Sequence, residues 1–257
     1  MTLHFLRNLA PEFSPSATYY LSNALEALSD FTILLPLASG AHTATFTGVT
    51  SNAINGYTLN CKMNKKQLIE YVQNFVSLEA DEAEHFLSVF EEVKVKKRQF
   101  IVQPNFTNRH RTFVVKGAFR TYAISSEGQD HTLQFAIENW WVSDFNSYIY
   151  QHPATLFIIA LEDSIILQVE YSKEQELKKA NHKFETFFRI MAEKGLAFEH
   201  RRILFDLTHS AEARYENFLL NYPNFIQRVP QYALASYLGM STEFLSRLRN
   251  KRARKKS

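Results

Sequence analysis

The chain has 257 residues, a length that allows one large domain or two modest ones. Its formal net charge is only +3, which excludes a protein that is strongly basic over its whole length, and no apolar run is long enough to span a bilayer. The single cysteine, Cys61, excludes an internal disulfide framework and any metal or iron–sulfur site built on four cysteines. This cysteine usage fits a reducing cytoplasm, which is the location that we expect.

Residues 1–62 differ from the rest of the chain, because they are rich in Ser and Thr and poor in charged side chains. Residues that interrupt regular structure are dense here: Pro11, Pro15, Gly40 and Gly48. Thr18–Leu28 suits a short helix, whereas Phe31–Ala38 is apolar but too short for a membrane span and contains Pro36. We predict a poorly ordered N-terminal extension, or a non-native start ahead of Met63. A sensor extension or a partner-binding segment is the alternative.

Two helices and a set of short strands are predicted between residues 63 and 171. Apolar residues at helical spacing predict helices over Lys65–Phe75 and Asp81–Glu92. Runs rich in Val, Ile, Phe and Tyr then predict strands at Val93–Val102, Thr112–Lys116, Phe119–Ile124, Thr132–Ile137, Thr155–Ala160 and Ser164–Glu170. Short strands with turns at this spacing are typical of an antiparallel sandwich or barrel, so we assign residues 63–171 to one β domain.

A long helix is predicted over residues 172–206. Apolar residues recur along it every seven positions in two neighbouring rows, Phe184, Met191, Phe198 and Phe205 in one and Ile190, Ala197 and Leu204 in the other. We predict that this seam packs on the β domain and on the same helix of a second copy, which makes the chain a homodimer. The alternative is that the seam covers only its own β domain, because Phe187 is followed by Lys194 and Arg201 at the other heptad core position.

Residues 207–257 are predicted to form a small helical domain. Thr208–Asn221 has the pattern of one helix, and Val229–Asn250 has the pattern of two short helices joined by a tight turn. Pro230 suits the start of the first short helix and Ser241 suits the N-cap of the second. A small residue, a glycine and an apolar residue stand at the spacing of a helix-turn-helix: Ala235, Gly239 and Leu245.

The outward face of the second short helix carries the predicted DNA contacts. Glu243 and Arg247 lie four residues apart and so share a face. A carboxylate there can accept from N4 of cytosine, and a guanidinium can bind O6 and N7 of guanine. The predicted DNA-binding residues are Thr242, Glu243, Ser246, Arg247, Arg249 and Lys251. The alternative is a plain helical hairpin with an exposed Glu–Arg ion pair.

A basic tail is predicted beyond this helix. Seven Lys and Arg residues and no acidic residue lie between Arg247 and Lys256. The tail has no apolar side chain to dock it except Ala253, so we expect it to follow DNA phosphates without reading bases.

This order of elements resembles the Crp/Fnr family of bacterial transcription regulators. The resemblance covers Met63 to about Lys251 and is strongest in VPQYALASYLGMSTEFLSRLR and AEARYENFLLNYP. The segment KGAFRTYAISSEGQDHTLQFAIENWW, with LEDSIILQV after it, is similar to the sensor β-roll of the family. The resemblance implies an α+β fold: a jelly-roll-like antiparallel β-roll of the cyclic nucleotide-binding type, a long connecting dimer helix and a C-terminal helix-turn-helix domain.

The resemblance also bears on base reading and on the effector. Members carry a Glu and an Arg that read bases where this chain has Glu243 and Arg247, but often an Arg where it has Thr242, which changes the expected operator. Members that bind cyclic AMP hold the ribose with a Gly-Glu pair, and the phosphate with an Arg-Ser or Arg-Thr pair and backbone amides. Here those pairs are Ser-Asp at 143–144 and Ala-Thr at 154–155, so the arginine charge that a phosphate needs is missing.

We therefore predict a regulator that does not respond to cyclic AMP and has no cofactor or metal. Aromatic residues beside that place are expected in the core: Trp140, Trp141, Phe145 and Tyr148. Expected partners are double-stranded DNA, a second copy of the chain and, as a further candidate, RNA polymerase; the sequence does not identify an effector. No Walker loop or nucleophile elbow is present, so we expect no enzyme. The alternative function is a small-molecule sensor that works through protein contacts and has a helix-turn-helix that does not bind DNA.

Overall fold

A computed structural model describes residues 31–37, 40–46, 63–223 and 225–256. The chain divides into two units, Met1–Met63 and Asn64–Ser257. In the first unit, strand β1 (Phe31–Leu37) pairs with antiparallel strand β2 (Gly40–Phe46), a hairpin that the sequence did not predict. The helix expected at Thr18–Leu28 lies outside the described residues, and the poor order expected of the extension stays a prediction.

The second unit begins with two helices and an eight-stranded β-roll. Helix α1 covers residues 63–73 and helix α2 covers Ala80–Ser88. The strands are β3 (Phe90–Val95), β4 (Phe100–Val102), β5 (His110–Lys116), β6 (Phe119–Ile124), β7 (Asp130–Ala136), β8 (Trp141–Val142), β9 (Phe157–Ala160) and β10 (Ser164–Glu170). They form two antiparallel four-stranded sheets, ordered β3-β10-β5-β8 and β4-β9-β6-β7, which confirms the predicted fold class.

Two predicted elements at the start of the roll had wrong boundaries. The predicted helix Asp81–Glu92 ends at Ser88, because Phe90–Val95 pairs with β10 along the sheet instead. The predicted strand Val93–Val102 is two strands, since the chain turns between them with Arg98 at φ 69°. In both cases a tertiary pairing overrides the local pattern.

The aromatic residues expected in the core occupy three different environments. Tyr148, on the short helix α3 (Phe145–Tyr150), is fully buried, and Trp141 packs against Phe113 with ring centroids 5.2 Å apart. Phe145, by contrast, is 40% exposed, which corrects its assignment to the core. Trp140 is half-buried: it packs against the core of the roll on one side, and its ring contacts the rings of Phe198 and Tyr222.

The predicted long helix over residues 172–206 is two helices. Helix α4 (Tyr171–Ala180) ends at Asn181, whose extended backbone begins helix α5 (His182–Thr208). The Asn181 side chain accepts a hydrogen bond from Lys183 N at 2.9 Å, so the break is a well-formed N-cap. No helix in the described parts of the chain is long and apolar enough to cross a membrane.

The predicted row of α5 that contains Phe184 and Phe198 packs mainly on its own unit. Phe184 is fully buried, and Phe198 meets the ring of Trp140 at 6.0 Å. An apolar stripe is left uncovered on the other side of the helix: Leu196 is 59% exposed, Ile203 50% and Leu207 80%, and beside them Leu204, a member of the second predicted row, is 62% exposed.

Three further helices complete the unit and are fastened to the roll. They are α6 (Ala211–Asn221), α7 (Gln231–Tyr237) and α8 (Thr242–Lys256). Ser236 on α7 donates to Asp130 O at 2.9 Å and accepts from Thr132 N at 2.9 Å, both on β7. Arg228, ahead of α7, pairs with Glu138 at 2.8 Å and Glu162 at 2.5 Å. The C-terminal helices are therefore held against one edge of the roll.

Candidate nucleic-acid interface

The connection between α7 and α8 is a tight turn centred on a glycine. Gly239 has φ 65°, a left-handed conformation that glycine adopts without strain, as the sequence predicted. Two main-chain hydrogen bonds close the turn: Gly239 N donates to Ser236 O at 3.1 Å, and Met240 N donates to Ala235 O at 3.0 Å. Ala235 is almost fully buried, so its small side chain lets the two helices cross closely.

The rotation of α8 about its axis is fixed from both its start and its buried side. Ser241 accepts a hydrogen bond from Phe244 N at 3.1 Å, which confirms the predicted N-cap. Leu245 is fully buried and Leu248 is 8% exposed, and both belong to the apolar cluster that contains Tyr215 of α6. With those leucines inward, the opposite side of α8 faces outward.

The outward face of α8 presents Glu243, Arg247 and Asn250, all exposed. The pKa of the Glu243 carboxyl is lowered by hydrogen bonds from its own main-chain N–H and from the Ser241 hydroxyl, so it is an anionic acceptor at neutral pH. The Arg247 guanidinium lies 5.5 Å from the Phe244 ring centroid. The charge of Arg247 also lowers the pKa of Glu243, although among the described residues the two side chains are not within ion-pair distance.

The other predicted contacts lie on the flanks of that face. Thr242 and Ser246 are half-buried, and the Gln231 side chain donates to Thr242 O at 3.3 Å. Arg249 is exposed. Lys251 is exposed too, but its ammonium pairs with Glu212 of α6 at 3.1 Å. The structure therefore brings Glu243 and Arg247 together and leaves Lys251 with a carboxylate of its own unit.

The basic tail that the sequence predicted is an extension of α8. The helix continues to Lys256, and Arg252 pairs with Glu216, which lies four residues beyond the Glu212 partner of Lys251. Lys and Arg are good helix formers, and two acids on one face of α6 hold the first turn of the extension. The expectation that nothing docks the tail was therefore wrong for Lys251 and Arg252, whereas the contact of the tail with DNA phosphates stays a prediction.

Asn250 and Arg254 were not among the predicted contacts, and the predicted helix ended at Asn250, four residues before Arg254. Asn250 and Arg254 follow Glu243 by seven and eleven residues, so a continuous helix places them on the same side. The available signal for Arg254 was the run of Lys, Arg and Ala after Asn250, without Gly or Pro.

At the place where relatives of the resembled family hold a nucleotide, this chain has a buried carboxylate. Asp144 is 1% exposed, and one oxygen accepts from Ser147 N at 3.1 Å. Its other oxygen accepts from Thr155 N at 3.1 Å and from Leu156 N at 3.2 Å. These amides are therefore already bound to an internal anion, and Ala154, where an arginine would be needed, is buried.

Several solved structures are similar to this chain. CLP of Xanthomonas campestris, a c-di-GMP responsive global regulator, gives a TM-score of 0.56 at 16% identity over 69% of this chain and 93% of that one. FixK2 of Bradyrhizobium japonicum gives a TM-score of 0.55 at 19% identity, over 63% of this chain and 84% of that one. A transcriptional regulator from Eubacterium rectale that is assigned to the crp/fnr family gives 0.53 at 18% identity over 66% and 82%.

Neither a protein-family profile nor a curated protein matches the sequence. The identities to the solved structures are low, so the likeness is one of fold, and at that level it confirms the predicted resemblance.

Proposed function

We propose that this chain, which has the fold of the Crp/Fnr regulators, is a sequence-specific DNA-binding transcriptional regulator. Residues 63–171 would form its sensor domain, 172–206 its connecting dimer helices and 207–257 its DNA-binding domain. One observation carries the proposal: two buried leucines hold α8 so that Glu243, Arg247 and Asn250 point outward from a helix-turn-helix. A helix of this kind enters the major groove and reads base edges with a few side chains. Its place of action is the cytoplasm, with the DNA.

The experiment that tests this function is selection of bound sequences from random double-stranded DNA by the full chain. An enriched inverted repeat, with half-sites about one helical turn apart, would support both base reading and a two-fold dimer. Recovery of no consensus would contradict the proposal and favour a sensor that acts only through protein contacts.

The proposed dimer uses the uncovered stripe of α5. Leu196, Ile203 and Leu207 follow one another at intervals of seven and four residues, which places them on one side of the helix. All three are at least half exposed. Burying such side chains contributes about 1.5–3 kcal/mol each, and an inverted repeat requires two copies of the reading helix.

Replacing Ile203 and Leu207 together with Glu is therefore expected to convert the dimer into a monomer. Sedimentation velocity over a concentration series would measure the change, and we expect the dissociation constant of the dimer to rise at least about tenfold. Ile124→Glu is the matched control, because Ile124 is 51% exposed on β6 and lies away from α5 in the sequence. A double variant that dimerises like the control would contradict this interface.

Cyclic AMP is expected not to bind usefully. The amides of Thr155 and Leu156 already donate to Asp144. Position 154 is an alanine, so no arginine is present there to bind the phosphate of the nucleotide. A cyclic phosphate would have to displace a buried anion and would meet no compensating charge from that position. Isothermal titration of the full chain with cyclic AMP measures this, and micromolar affinity would show that the pocket is intact.

A further inference from the structure

A cleft of about 310 Å³ lies between α5, α6 and the end of α7. Its walls include Phe198 and Arg201 from α5, Arg214 from α6, Tyr222 that follows α6, and Tyr237 from α7. This volume is at the lower end of the range for small-molecule sites. The cleft is separate from the nucleotide position in the roll, where Asp144 binds the amides.

One side of the cleft is aromatic and well fixed. The Tyr222 ring lies 5.7 Å from the Trp140 ring, and Phe198 meets the same indole at 6.0 Å. Burial raises the pKa of Tyr237 to about 12, so its hydroxyl keeps its proton at neutral pH and can donate a hydrogen bond. Rings held in this way offer faces and edges against which a planar ligand can pack.

The other side of the cleft carries more positive than negative charge. Arg201, Arg202 and Arg214 line it, with Asp206 as the acidic residue among the lining side chains. Of the three arginines, Arg202 pairs with Glu199 at 3.3 Å. Within the described ranges no carboxylate lies within ion-pair distance of Arg201 or Arg214.

Arg214 is bound by main-chain carbonyls, whereas Arg201 is exposed. Arg214 donates to four main-chain carbonyls, those of Asp206 at 2.9 Å, His209 at 3.2 Å, Leu238 at 2.9 Å and Gly239 at 3.4 Å. It thus fixes the end of α5 to the helix-turn-helix turn while its charge stays uncompensated. Arg201 is exposed and lies 5.7 Å from the Phe198 ring centroid, so its donors are available to a ligand.

We propose that this cleft binds a small aromatic molecule that carries one anionic group, a carboxylate or a phosphate. The ring would pack against Phe198 and Tyr222, and the anion would face Arg201, in the positive field of Arg214. Charge-assisted hydrogen bonds from a guanidinium are strong, and the aromatic wall adds apolar contact. The uncovered stripe that contains Leu196 and Ile203 lies on the opposite side of α5, so a dimer would leave the cleft open.

A ligand here would touch the residues that join α5 to the helix-turn-helix. Any effect on operator affinity rests on the proposed function, whereas binding itself is measurable without DNA. The two proposals can therefore fail separately.

The test titrates the full chain with 1-naphthyl phosphate and with 1-naphthoate, and follows the heat of binding and the quenching of tryptophan fluorescence. Inorganic phosphate and 1-naphthalenemethanol supply the anion alone and the ring alone. We expect at least one aromatic anion to bind with a Kd below about 1 mM, and both controls to bind more weakly. The stronger of the two anions identifies the acid class.

Arg201→Ala is expected to weaken binding about tenfold or more, because it removes a charged donor from an exposed position. Arg189→Ala is the matched control, because it removes the same charge from an exposed arginine of α5 that pairs with Glu193 at 2.7 Å. The affinity of this variant for the aromatic anion should equal that of the parent chain. Binding of neither aromatic anion, or equal affinity in Arg201→Ala, would overturn the proposal.

Discussion

Replacing Glu174 with alanine is expected to lower the free energy of unfolding by about 3–5 kcal/mol. Glu174 lies on α4 and its side chain is fully buried. Arg111 of β5 contacts both of its oxygens, at 2.7 and 3.0 Å, and Lys178 pairs with it at 2.7 Å. The carboxylate thus neutralises two cations at the junction of α4 and the roll.

The hydroxyl of Tyr148 adds a third partner, because it donates to Glu174 at 2.8 Å. Burial, followed by the charge of Glu174, raises the pKa of Tyr148, so the hydroxyl remains a donor at neutral pH. Alanine at position 174 would leave the Arg111 guanidinium, which is 9% exposed as a residue, without its carboxylate. Removing one partner of a buried charge cluster is costly for this reason.

Urea denaturation followed by circular dichroism measures the loss. Glu176→Ala is the matched control, because Glu176 is an exposed acid on the same helix, and it should change stability by no more than about 0.5 kcal/mol. Glu174→Gln should fall between the two, since it keeps an acceptor and loses the charge. Equal stabilities for Glu174→Ala and Glu176→Ala would show that the cluster does not stabilise the fold.

The local sequence pattern was sufficient to predict several strands of the roll. The strands Phe119–Ile124 and Ser164–Glu170 were predicted with their observed boundaries, because each is a run of strand-favouring residues between turn signals. The helix-turn-helix turn was also local, since Gly239 has positive φ. Such features depend on residues close together in the sequence.

The features that the sequence did not predict depend on contacts with residues elsewhere in the chain. The break at Asn181 is supported by its side-chain bond to Glu82 at 2.8 Å, 99 residues away. The helical extension past Asn250 is supported by ion pairs of Lys251 and Arg252 with Glu212 and Glu216 of α6. The position of Asp144 depends on the amides of Thr155 and Leu156, which donate to its side chain from beyond α3. Each of these is a contact that periodicity cannot reveal.

The same limitation affected the proposed dimer face. The heptad rows of α5 have apolar residues on more than one side, and the sequence alone does not say which side meets the roll. Phe184, Phe187 and Phe188 turn inward because they complete the aromatic core with Phe86. The aliphatic residues Ile203 and Leu207 are then left outside.

Replacing Arg247 with alanine is expected to cost about 1–3 kcal/mol of operator affinity per half-site and to relax the preference at one base pair. The side chain is exposed beside Glu243, while Leu245 and Leu248 fix the rotation of the helix. A guanidinium in this position can bind O6 and N7 of guanine with two parallel hydrogen bonds. Affinity for random DNA should change much less, because that DNA offers no matched base.

Arg249→Ala distinguishes base reading from phosphate binding on the same helix. Arg249 is exposed but lies about 200° around the axis from Arg247, so it points away from the bases that Arg247 would read. Its loss should weaken operator and random DNA alike and reduce the salt slope by about one unit. Arg189→Ala, which removes one charge from α5, should leave both affinities unchanged. Fluorescence anisotropy on both DNAs across a salt series separates these outcomes, and equal weakening of both DNAs by Arg247→Ala would identify Arg247 as a phosphate contact.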